Sequence, residues 1–109
     1  MTDLLKKTCE SCEEGRGHLM ANEIEELMPQ IPGWEFEGYH HLAKTFQFKN
    51  FKEGLLFVNK VGALAEEEGH HPNLFLNYTS VRVTLYTHSL DGVSQNDFIM
   101  AAKIDAIVR

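Results

Sequence analysis

Ala65-Glu66-Glu67-Glu68-Gly69-His70-His71-Pro72-Asn73-Leu74 changes its backbone regime within ten residues. Before it, Phe51, Leu55, Val58, Val61, Gly62 and Ala65 recur at helical spacing, with Phe57 and Leu64 widening the apolar stripe. That period predicts a helix over 51–68. Asn50 stands where an N-cap belongs, and Gly69 stands where a left-handed residue ends a helix. Pro72 then biases His71 toward extended backbone. The chain therefore leaves a helix and enters a strand across a histidine pair.

Working outward, Leu74 to Tyr78 reads as a strand, Thr79-Ser80 as a turn, and Val81 to Thr87 as the returning strand. Val81, Val83 and Leu85 share one face of it; Arg82, Thr84, Tyr86 and His88 share the other. Leu90 to Val93 is a loop. Ser94 caps a final helix over 95–107, whose apolar side holds Phe98, Ala101 and Ile104. Toward the N-terminus, Ile24, Leu27 and Met28 mark a short helix over 22–28, ended by Pro29 and Pro32-Gly33. Trp34 to Glu37 alternates as a strand, Gly38 turns, and Leu42 to Phe48 returns with Leu42, Phe46 and Phe48 on one face. The order α-β-β-α-β-β-α predicts an α+β fold: a four-stranded antiparallel sheet with three helices on one face. Residues 1–19 are expected to form a loosely ordered arm, and 20–109 the domain.

At 109 residues the chain is one domain, long enough to bury a core without staples. Its formal charge is −6, with no basic cluster, which argues against a nucleic-acid partner. No apolar run approaches the roughly 18 residues of a membrane helix. Met1-Thr2-Asp3-Leu4-Leu5-Lys6-Lys7 lacks the layout of a signal peptide. A cytoplasmic protein is expected. Cys9 and Cys12 form a Cys-x-x-Cys, but a structural zinc site wants four ligands and only His18 is near. No apolar strand precedes the pair, as a redox motif would require, so dispensable arm cysteines are expected.

The chemistry-bearing residues gather around the helix-to-strand crossing. Glu66, Glu67 and Glu68 lie at the negative end of a helix, against the usual preference, and broken local rules collect at functional sites. A solvated acidic helix end is the plain alternative. Glu66 lies four residues before His70 and is expected to approach it if the helical turn persists. His70 and His71 enter a strand as neighbours and are expected to point to opposite faces, which disfavours a single metal ion holding both. His88, at a strand end near them, makes a converging cluster. Imidazoles, with ordinary pKa near 6.5, suit proton transfer near neutral pH. His40-His41 has no acidic run or proline beside it and reads as surface. Asp97 lies at the third helical position after Ser94, so capping alone is one reading, and orienting a histidine or binding a substrate amine is the other.

Glu66-x-x-x-His70-His71-Pro72, Tyr78, His88 and Asp97 together resemble the signature of the pterin-4a-carbinolamine dehydratases. Ile31-Pro32-Gly33-Trp34, the stretch from Phe46 to Phe51 with Val58 and Ala65, and Val81 to His88 are similar to the family at matching intervals. The likeness spans about residues 20–105. One departure is Asn73-Leu74, where many members carry an acidic residue and a tryptophan. The resemblance implies a hydro-lyase that removes water from a 4a-hydroxy-tetrahydropterin to give the quinonoid dihydropterin, in tetrahydrobiopterin recycling, without a metal or redox cofactor. It implies His70, His71 and His88 as catalytic residues, with His70 and His88 as acid and base and His71 holding the pterin and sharing charge stabilisation, and Glu66 and Asp97 as tuning or orienting groups. Backbone groups near Thr87 would bond the flat ring. It also implies a homotetramer built as a dimer of dimers. Two other readings remain: a dimerisation or scaffold module for a protein partner, as some animal members of the family are, and a metal-binding protein.

Overall fold

The computed structural model describes Leu4 and residues 19–108. Cys9, Cys12 and all but Leu4 and Leu19 of the expected arm lie outside the described residues. The elements run α1 (Ala21–Leu27), β1 (Glu35–Glu37), β2 (His41–Gln47), α2 (Phe51–Glu68), β3 (Asn73–Leu76), β4 (Ser80–Leu85) and α3 (Gln95–Ile107), with single 3-10 turns at Met28–Gln30 and His88–Leu90. The expected α+β class and element order hold.

All three strand pairings are antiparallel, and the sheet order is β1-β2-β4-β3. Two hairpins therefore join through their second strands and leave β1 and β3 at the edges. Register places Leu42 opposite Leu85 and Phe46 opposite Val81. These four, with Val83, are buried and form the sheet's contribution to the core. Each such side chain contributes about 1.5–3 kcal/mol by leaving water. The helices cover this face. α3 is buried along most of its length, with Phe98, Met100, Ala101 and Ile104 at 0% exposure. α1 adds Ile24, and the segment after it adds Ile31 and Trp34.

Both long helices begin and end where their caps dictate. Asn50 accepts a hydrogen bond from the Glu53 N–H at 3.0 Å, worth about 1 kcal/mol. Gly69 sits at φ 69°, and its N–H donates to the Ala65 carbonyl at 2.9 Å. An L side chain at that φ costs roughly 1–2 kcal/mol. The buried face of α2 keeps Phe57, Val61 and Ala65 of the expected stripe, with Val58 and Leu64 packed against the core, but not its first two members. Its buried residues are Gly54, Phe57, Val61 and Ala65, while Phe51 and Leu55 are exposed along with Leu56. Gly54 explains the offset. A Cβ there would stand 3.2 Å from Leu76 Cδ1, so the helix meets the sheet at its smallest residue rather than at its largest.

β1, β3 and β4 are shorter than their sequence pattern, while β2 keeps its length one residue earlier. Trp34 precedes β1 and turns inward, its indole N–H donating to Asp105 at 3.1 Å; Lys44 reaches the same carboxylate at 2.9 Å. β3 stops at Leu76, leaving Tyr78 exposed beyond it. β4 stops at Leu85, so His88 does not share a strand face with Arg82 and Thr84. It opens a 3-10 turn instead, closed by Asp91 in the left-handed region at φ 51°.

Candidate active site

The acidic end of α2 is compensated rather than merely solvated. Glu68 pairs with Lys103 of α3 at 2.6 Å, both side chains largely buried. Glu66 meets a histidine, but His71 and not His70: His71 Nε2 donates to Glu66 Oε2 at 2.5 Å. The correction follows from Gly69. The His70 N–H still donates to the Ala65 carbonyl at 3.2 Å, but the left-handed turn carries the His70 side chain away from the last helical turn. The residue that comes back over Glu66 is the next one.

His70 is delivered instead to α3. Its Nε2 donates to Asp97 Oδ1 at 2.6 Å, with side-chain exposures of 12% for His70 and 0% for Asp97. Asp97 Oδ2 accepts from the Thr87 hydroxyl at 2.9 Å and from the Ser94 N–H at 2.9 Å. Ser94 closes the capping box from the other side. Since the Thr87 hydroxyl proton goes to Asp97, Thr87 Oγ1 accepts from the Ser94 hydroxyl at 2.8 Å. Asp97 therefore makes two kinds of contact. It caps α3, where the helix N-terminus favours a carboxylate, and it fixes the His70 ring. Four side chains from three segments form one satisfied buried network.

Thr87 is bonded through both its backbone and its side chain. Its N–H donates to the Gly92 carbonyl at 2.7 Å and its carbonyl accepts from the Leu90 N–H at 3.0 Å. Its buried hydroxyl bonds Asp97.

His70, His71, Thr87 and His88 line one cavity of about 290 Å³ together with Gly69 and Ser89. That is close to the lower end of small-molecule pockets, about 300–1,000 Å³. Neither Glu66 nor Asp97 lines it, but each bonds one of its histidines, Glu66 in the open and Asp97 buried. A larger hollow of about 370 Å³ lies between α1 and β1, lined by Leu19, Ile24, Met28 and Phe36 among others, and holds no histidine. Chemistry rather than volume selects the site. Sequence reasoning missed Gly69 as a wall and Ser89 as a lining residue; no periodicity marks a 3-10 turn. Among the described residues, no three His, Cys, Asp or Glu side chains are grouped to hold a metal ion.

His40-His41, expected at the surface, is half-buried and bonded. His40 Nε2 donates to Asp91 at 2.7 Å and lies 4.7 Å, ring centre to ring centre, from Tyr86. His41 Nε2 donates to Glu37 at 3.2 Å. The Arg82 guanidinium, at 2.6 Å, is the main reason the Glu37 carboxyl is held below its ordinary pKa, and His41 adds to it.

The sequence pattern of the family described as "Pterin 4 alpha carbinolamine dehydratase" matches residues 17–107. The chain belongs to that family. It is 44% identical to a protein from Rubrobacter xylanophilus over 98% of this chain and 100% of that one. It is 47% identical to one from Saccharophagus degradans over 98% of this chain and 97% of that one. Both relatives are provisionally named pterin-4-alpha-carbinolamine dehydratase. Among solved structures, the transcriptional coactivator/pterin dehydratase from Brucella melitensis superimposes with a TM-score of 0.80 at 35% identity, covering 84% of this chain and 99% of that one. A pterin dehydratase-like protein, described as a RuBisCO assembly factor in the alpha-carboxysome, gives a TM-score of 0.61 at 30% identity, over 72% and 92% of the two chains. In this dehydratase family member, the departure at Asn73-Leu74 has a structural form. Asn73 is exposed, while Leu74 pairs with Val83 and packs against the core. No helix among the described residues is long and apolar enough to cross a membrane.

Proposed function

We propose that the chain removes water from a 4a-hydroxy-tetrahydropterin, giving the quinonoid dihydropterin, by histidine acid/base catalysis during tetrahydrobiopterin recycling in the cytoplasm. The observation that carries the reading is the convergence of His70, His71 and His88 on one cavity, with His70 locked by a buried carboxylate. The reaction needs one proton at the 4a-hydroxyl and the loss of one from N5. A protonated imidazole gives the first, the C4a–O bond breaks, and water leaves. The N5 lone pair closes the new C=N bond, and a neutral imidazole takes the N5 proton. His70 and His88 fill these two roles. Each is expected to contribute about 10²–10⁴-fold. His71, on the open rim, holds the pterin. Glu66 and Asp97 orient their histidines, and Thr87 supports Asp97.

A freshly generated 4a-hydroxy-tetrahydropterin should lose water faster with the protein than in buffer alone. A rate equal to the buffer background would reject the reading. It would favour the scaffold role that the alpha-carboxysome relative's description attaches to that protein.

The proposed assembly is a homotetramer, a dimer of dimers. Two surfaces support it: the exposed apolar side of α2 at Phe51, Leu55 and Leu56, and the edge strand β3 with Phe75 at 62% exposure. Open edges of this kind require cover, and closed symmetry supplies it. Light scattering should give four chain masses at micromolar concentration; a single-chain mass that persists on tenfold concentration would contradict it.

A further inference from the structure

His70 and His71 are each oriented by a carboxylate, Asp97 and Glu66. Among the described residues His88 has no such carboxylate, and what lies against its ring is another ring: Tyr86, at 4.2 Å between centroids and 38° between planes. Tyr86 in turn lies 4.7 Å from the His40 ring at 44°. His40 is tied at its far side to Asp91, in the loop that follows His88. The three rings form a column running from the β1–β2 hairpin to the cavity, and His88 is its last member.

We propose that Tyr86 is a positioning residue for His88: the His40–Tyr86–His88 column sets the plane of the cavity histidine that has no carboxylate partner among the described residues. The reason is geometric. His88 opens a single 3-10 turn and is exposed, so among the described residues little besides Tyr86 packs against its ring. An imidazole that must meet a reacting atom needs its plane fixed, and small misplacements cost rate steeply. Tilted stacking of aromatic rings in this distance range is attractive and directional. Tyr86 is half-buried one residue beyond β4, between that strand and the Thr87–Gly92 bridge, and can supply that constraint. His40 backs it from the other side. The His40–Asp91 link ranks lowest, because Asp91 is 87% exposed and solvent weakens the pair.

The proposal rests on the acid/base reading of His88 for its kinetic consequence, but not for its structural one. It is tested with the full chain, in two measurements. The first is steady-state dehydration by Tyr86→Ala, Tyr86→Phe and His40→Ala. The second is NMR of the His88 ring protons, assigned by their loss in His88→Gln. Stacked on Tyr86, those protons feel its ring current. Tyr86→Ala should move them toward free-imidazole positions and lower kcat on the order of tenfold, with KM within about twofold. Tyr86→Phe should restore both, since it keeps the ring. His40→Ala, at the outer end, should do the same in smaller degree. His88 resonances and kcat unchanged in folded Tyr86→Ala would overturn the proposal. So would a loss in Tyr86→Phe as large as in Tyr86→Ala, since the hydroxyl rather than the ring would then be at work. Were the wild type inactive, the acid/base reading would fall alone, and the resonances would still decide the column.

Discussion

His70 and His71 are adjacent, and each donates to a carboxylate, at 2.6 and 2.5 Å. The two pairs nevertheless lie in opposite surroundings. His70 and Asp97 are 12% and 0% exposed, and Asp97 carries two further donors. His71 and Glu66 are 60% and 79% exposed, and described hydrogen bonds tie them only to each other. Bond length does not separate them; desolvation and network do. An exposed ion pair is worth about 0.2–1 kcal/mol, whereas a buried carboxylate with three donors cannot be removed without stranding all of them. One fixed histidine and one adaptable histidine, side by side, suit a site that must both move protons precisely and admit a substrate.

Asp97→Ala should break this contrast most severely. It strands the Thr87 hydroxyl, the Ser94 N–H and His70 Nε2. The expected cost is about 3 kcal/mol, which lowers Tm on the order of 10 °C, and the dehydration rate should fall on the order of a hundredfold. A thermal melt and a rate measurement check both. Next comes Gly69→Ala, which leaves the pairs chemically intact but strains the turn that sends His70 to α3 and His71 to Glu66. Roughly 1–2 kcal/mol of destabilisation is expected, seen as a lower urea midpoint with an unchanged slope. His71→Ala should act on binding, raising KM roughly fivefold with a smaller effect on kcat. A large kcat loss at unchanged KM would move His71 into proton transfer and erase the contrast. Glu66→Gln should do least, with rate and KM within about twofold of wild type, because its pair is open to solvent.

The elements whose ends carry local signals were legible in the sequence. Asn50, Gly69 and Ser94 act through bonds within a few residues of themselves, so α2 and α3 begin and end as expected. The alternation of Val81, Val83 and Leu85 gave the buried face of β4 for the same reason. What failed depends on distant neighbours. Apolar residues occupy more than one side of α2, and only the approach of Gly54 to Leu76 decides which side meets the sheet. Glu66 was assigned to His70 by helical spacing, and a single left-handed residue moved the pairing to His71. His40 looked like a surface residue because its partners, Tyr86 and Asp91, are far along the chain. The site residues were found by their likeness to a family pattern. Their division into buried and exposed pairs was not, because burial is a property of the assembled layers.

The central claim is that His70 and His88 act as acid and base on one substrate. The decisive measurement is the dehydration rate, above the buffer background, of His70→Ala, His88→Ala and the double variant, each confirmed as folded by circular dichroism. Each single change should cost about 10²–10⁴-fold. The double should cost less than the product of the two, because both groups serve one transition state. A double variant that turns over at close to the wild-type rate would contradict the claim.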